Sequence, residues 1–132
     1  WLLLVFGLGA AALSFFAADR LMAHVSARLG FVAMSDIAGL PLLCLILMGT
    51  GLVLLPLQNG FARRLERRAD AFALGATGRP DAFIAMMRRL GKKNLADFSP
   101  ARWVVFFLYD HPPLAARIRM ARRFSSPAAY EI

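Results

Sequence analysis

Cysteine is almost absent from this chain: Cys44 is the single one in 132 residues, so no internal disulfide can brace the fold. Histidine is nearly as scarce, with only His24 and His111. Acidic residues number eight against sixteen Lys and Arg, and the net charge of +8 comes from arginines after residue 60. No internal repeat or low-complexity tract is present, which leaves a single domain-sized piece. A signal peptide fits poorly, because the chain opens at Trp1 inside an apolar run with no initiator Met, no cationic leader and no small-residue cleavage site. It reads as a fragment whose N-terminal part lies upstream of Trp1.

What the chain has in excess is apolar surface. With 59% apolar residues and a mean hydropathy of +0.57, it is too apolar for an ordinary soluble domain. Trp1 to Ala18 is about as short as a membrane span can be. Ile37 to Leu57 carries no charge and is long enough to cross a hydrocarbon core of about 30 Å. Pro41, Gly49, Gly51 and Pro56 are tolerable there because neighbouring helices can satisfy freed backbone groups, with a kink expected near either proline. Cys44 within this span reads as a small buried apolar residue. Two organisational units follow: residues 1–58 with two transmembrane helices and a short connection, and residues 59–132 as a helical remainder. Arg63, Arg64, Arg67 and Arg68 follow the second span at once, so the positive-inside rule places the C-terminal region in the cytoplasm and the Asp19 to Asp36 connection, with His24, outside.

Beyond the span, Asn59 to about Leu74 predicts a helix ended by the Gly75 to Pro80 breaker cluster. At about 100° per residue Asn59, Glu66 and Asp70 fall within a wedge of roughly 40°, while Phe61, Leu65, Ala69 and Phe72 form a separate apolar stripe. This predicts a polar edge beside a packing face. Asp81 reads as the N-cap of a helix reaching Gly91. Ser99 and Pro100 signal a short helix through Trp103, Phe106, Phe107 and Tyr109, whose aromatic stripe reads as core. Asp110-His111-Pro112-Pro113 breaks that helix and holds His111 at a rigid corner, since proline restricts both itself and the residue before it. Leu114 to Phe124 is the last predicted helix, carrying Arg117, Arg119, Arg122 and Arg123.

The run N-x-x-x-R-x-x-E-x-x-A-D-A-F-A from Asn59, with H-P-P-L-x-x-R from His111 and Asn94-Leu95 and Trp103 between them, resembles the C-terminal part of the CAAX prenyl proteases. These are integral-membrane zinc metallopeptidases of the gluzincin type. The resemblance covers Asn59 to Ala121, with Ala62 standing where the family pattern has serine. It implies an all-α membrane protein: two transmembrane helices followed by a helical portion of a gluzincin-type catalytic domain. It further implies that Glu66 is the third protein ligand of one catalytic zinc, whose two histidine ligands come from an H-E-x-x-H helix just upstream of Trp1. Asp70 would orient a histidine ligand or the Glu66 helix, and Asn59, His111 and Arg117 would hold the substrate backbone and stabilise the oxyanion. Such an enzyme cleaves peptide bonds in prenylated, membrane-associated or misfolded proteins. Its partners would be a protein substrate and the bilayer.

Each residue also has a plainer reading. Glu66 and Asp70 could pair with Arg63 and Arg67 three residues earlier on a solvated face, at about 0.2–0.5 kcal/mol per pair. His111 could cap a turn, and Arg117 could be a surface charge. The arginines after the span could make the chain a non-catalytic polybasic adaptor that binds anionic lipid. Nucleic-acid binding is not expected, since the charge adjoins a membrane span and no binding module accompanies it.

Overall fold

The structure is a computed structural model that describes residues 1–29 and 37–125. It is all-α: helix α1 spans Leu2–Leu29, a 3-10 turn Ile37–Gly39 leads into α2 at Leu40–Thr77, and α3 (Pro80–Lys93), α4 (Arg102–Leu108) and α5 (Leu114–Phe124) follow. No strand occurs among the described residues. The chain divides into two units, Trp1–Gln58 and a second beginning at Asn59, with α2 contributing to both.

In the first unit, α1 is longer than the apolar run that predicts it. Asp19, Arg20 and His24 lie inside the helix instead of in a connection, because nothing between Ala18 and Gly30 breaks it. Residues 30–36, the rest of that connection, lie outside the described set. Two helices here are long and apolar enough to cross a membrane. Their large side chains are turned outward, Phe15, Phe16, Leu52 and Val53 among them, and Cys44 is exposed too, against its expected burial. Ser14 Oγ donates to the Ala10 carbonyl (2.9 Å), and Thr50 Oγ1 lies 3.0 Å from the Ile46 and Leu47 carbonyls. Their hydroxyls are thus satisfied within their own helices, as an apolar solvent would require.

The second predicted span and the Asn59 helix form one 38-residue helix. Pro41 falls in its first turn, where a missing N–H costs nothing, while Pro56 lies inside and leaves the Leu52 carbonyl without its usual donor. The helix ends within the predicted breaker cluster, three residues beyond Leu74, at Gly78, whose φ of 59° is left-handed and whose N–H bonds the Leu74 carbonyl at 2.9 Å, a glycine C-terminal cap. In α3 Pro80 takes the first helical position and Asp81 the first turn, so the cap residue is Arg79. The reason is that proline's fixed φ and absent donor suit that first position best.

The second unit is held by α3 packed on α5. Met87 and Gly91 of α3, Ile118 and Ala121 of α5, and Leu74 of α2 are buried. Gly91 is required by close approach: a Cβ there would sit 2.4 Å from the Phe98 ring and 2.9 Å from Leu114. The Ala115 N–H bonds the Phe98 carbonyl at 3.1 Å, so the loop after α3 is pinned to the start of α5. Helix α4 begins two residues later than Pro100 predicts, and Ser99 instead donates its N–H to Asp97 Oδ1 at 2.9 Å. Its aromatic stripe is not core. None of its residues is buried, because α4 is held by its carbonyls and not by its side chains.

Candidate active site

The predicted arrangement of the α2 surface is reversed. Asn59 and Asp70, on the polar edge, are 7% and 5% exposed, while Phe72 on the apolar stripe is 78% exposed. Ala69 is also exposed, and Phe61 and Leu65 are half-buried. Spacing correctly groups the residues, but which group faces inward depends on what the other helices bring to meet it. Here they bring cations and carbonyl groups.

Arg117 of α5 supplies the principal cation. Its Nε and Nη2 donate to Asp70 Oδ2 and Oδ1 at 2.7 and 2.5 Å, a two-pronged pair. Its Nη1 reaches Glu66 Oε1 at 2.8 Å. One guanidinium thereby separates the like charges of Glu66 and Asp70, which stand one turn apart and would otherwise repel. The Phe83 ring lies 6.0 Å from the guanidinium carbon on the α3 side. The plainer pairing of these carboxylates with Arg63 and Arg67 is not what forms.

The other oxygen of Glu66 faces the corner between α4 and α5. His111 Nδ1 is 2.5 Å from Glu66 Oε2, and because an ionised carboxylate can only accept, the proton of that contact belongs to Nδ1. Its Nε2 lies 3.5 Å from Asp110 Oδ2. Pro112 is buried while His111 beside it is exposed, so the proline corner anchors the backbone and presents the imidazole outward. Side-chain exposure rises stepwise from 6% at Asp70 through 12% at Arg117 and 23% at Glu66 to 68% at His111. The network runs from the interior to the surface. Every buried side-chain nitrogen and oxygen among the described residues has a hydrogen-bond partner.

Asn59 and Arg63 do a different task on the same face. Asn59 Nδ2 donates to the Phe107 carbonyl at 2.6 Å. Arg63 Nη1 donates to the Val105 carbonyl at 2.8 Å and to that of Tyr109. These carbonyls end α4 and have no partner within it, so the two side chains cap its negative end. Burial, and secondarily the Arg67 charge, push the Arg63 guanidinium below the usual arginine range. The sequence presents Arg63 as a juxtamembrane charge, as the arginine of the Asn59 motif and as a partner for Glu66, whereas here it holds α4.

Glu66, Tyr109, His111, Leu114 and Arg117 line an open cleft of about 480 Å³, together with Asn94 and other residues of the loop after α3. Asn59 and Asp70 are not among its lining residues. A cleft walled by a carboxylate, an imidazole and a guanidinium can bind a polar backbone and move protons.

The sequence pattern of peptidase family M48 matches residues 3–125, nearly the whole chain. The chain belongs to peptidase family M48. This M48 chain is also similar to the uncharacterized metalloprotease YhfN of Bacillus subtilis (strain 168), 28% identical over 104 residues. That match covers 79% of the M48 chain and 23% of YhfN, so the chain spans about a quarter of that relative's length. No solved structure matches it.

A metalloprotease implies a metal ion. Among the described residues no group of three or more His, Cys, Asp or Glu side chains could hold one. Both carboxylates are engaged, Asp70 by Arg117 and Glu66 by Arg117 and His111, but of the two only Glu66 lines the cleft. The described residues therefore offer a cleft carboxylate and not a complete metal centre.

Proposed function

We propose that this chain is part of a longer, multi-pass membrane zinc endopeptidase of the CAAX prenyl protease type, to which Glu66 contributes one zinc ligand. Two histidines from outside the described residues complete the set. The observation that supports this reading is the meeting of Glu66, His111 and Arg117 on one cleft wall. Zinc held by two imidazoles and a carboxylate supplies Lewis acidity and a strong nucleophile near neutral pH.

The rest of the work falls to the chain's own groups. Asp70 fixes Arg117 from below, and Arg117 in turn fixes Glu66, so the carboxylate cannot rotate out of the cleft. Three of the five guanidinium N–H donors are directed at carboxylates, and those remaining on Nη1 and Nη2 serve a substrate carbonyl. His111 stands at the rim, where with both ring nitrogens protonated its outward Nε2–H stabilises negative charge as the carbonyl is attacked. Asn59, proposed as a site residue, acts by holding α4 and with it the Tyr109 to His111 wall. Residues 1–58 supply two membrane crossings and the remainder faces the cytoplasm, which suits prenylated, membrane-associated or misfolded protein substrates.

The test is Glu66→Ala in the full-length protein, with zinc content and proteolysis measured together. Both are expected to disappear. A zinc-replete, active variant would remove the reading.

A further inference from the structure

Helix α4 carries an aromatic face that the other described residues leave about half exposed or more. Trp103, Phe106 and Phe107 share one side by their spacing and are 67%, 53% and 47% exposed. The helix is not loose, because Asn59 and Arg63 hold its terminal carbonyls. Asn59 follows the end of the apolar run, Leu57, by two residues, a stretch that reaches at most about 7 Å in any conformation. Arg63 is one helical turn further on. Where Leu57 leaves the hydrocarbon, the two side chains that hold α4 stand at the membrane boundary. Arg64, Arg67, Arg68 and Arg102 are all exposed, and their charge complements lipid phosphates. A tryptophan with neighbouring phenylalanines and cations is the composition that settles at the headgroup level.

We propose that α4 lies in the interfacial layer of an anionic bilayer, with Trp103, Phe106 and Phe107 dipped into the boundary between headgroups and acyl chains. Its C-terminal end continues into Leu108, Tyr109 and His111 of the cleft wall, so the cleft is held at the membrane surface and receives substrates that approach along it. This rests on the reading of Ile37 to Leu57 as a span.

The experiment uses the full-length protein, with native cysteines replaced, in vesicles of phosphatidylcholine and phosphatidylglycerol. Spin labels are placed singly at Trp103→Cys, Phe107→Cys, Val53→Cys and Arg123→Cys, and their collisions with oxygen and with a water-soluble nickel chelate are compared. Labels at 103 and 107 are expected to meet oxygen and be protected from nickel, as at 53, at a depth of about 5–10 Å; the label at 123 meets nickel. Nickel access at 103 and 107 with 53 still in lipid overturns the proposal and leaves the span standing. Shielding from both reagents does the same and assigns the face to another part of the protein or a second copy. Nickel access at 53 defeats the spanning reading and the proposal with it. Quenching of Trp103 by acyl-brominated lipid, with other tryptophans changed to phenylalanine, reads the position with α4 unaltered; no quenching overturns it.

Discussion

A carboxylate as deeply buried as Asp70 is tolerable only while its countercharge is in place. Removing Arg117 strands Asp70 and loosens Glu66 at once. Arg117→Ala is therefore expected to lower unfolding stability by about 3–5 kcal/mol, whereas Asp70→Leu with Arg117→Met removes both charges and loses much less. Denaturant unfolding of the two variants decides it, and equal losses would mean that the ion pair is not what holds the site. His111 sits at the opposite end of the exposure gradient. His111→Ala is expected to change stability by less than about 1 kcal/mol, since exposed positions contribute little, while kcat falls by about 10²–10³ if the imidazole stabilises the oxyanion. A kinetic loss confined to KM would assign it to binding alone.

At the level of elements, two backbone positions set the wall of the cleft. Gly91 admits Phe98 and Leu114 closer than any Cβ allows, so Gly91→Ala must displace both. The expected cost is about 1–3 kcal/mol, with a loss of activity because Leu114 lines the cleft. A thermal midpoint and a peptidase assay on the same sample read both effects. Leu95 has a φ of 48°, in the left-handed region, while its side chain is 94% exposed and gains nothing from packing. That conformation costs an L-residue about 1–2 kcal/mol, less for asparagine. Leu95→Asn is therefore expected to raise the melting temperature; a fall would show that the leucine side chain is used. Much of this architecture was legible from sequence. The Leu114 to Phe124 helix emerges with its predicted bounds, because a proline pair starts it and apolar spacing carries it. The sequence divides the second span from the Asn59 helix, since the change from apolar to charged composition resembles a boundary, yet the two form one helix because nothing in the backbone interrupts it.

For the whole molecule, the chain belongs to peptidase family M48, and the proposed metal makes a direct prediction. Chelation of the full-length protein is expected to abolish proteolysis, and zinc to restore it; activity that survives exhaustive chelation would exclude the metal-dependent reading. The donor set explains why the full-length protein is the sample for that test. Glu66, Asp97 and Asp110 line the cleft, but among the described residues no three such groups converge on a metal position.

Composition and spacing alone determined that the chain is helical, that two of its helices are apolar over a membrane's thickness, and that Asn59, Glu66 and Asp70 share one helix face, because these follow from local periodicity. Only the tertiary structure decided which face turns inward. Burial of charge depends on partners distant in the chain, and Arg117, 47 residues beyond Asp70, is what makes the polar edge the buried one. The same holds for α4: its sequence reads as core, but with its carbonyls taken by Asn59 and Arg63 its aromatic side is left facing out.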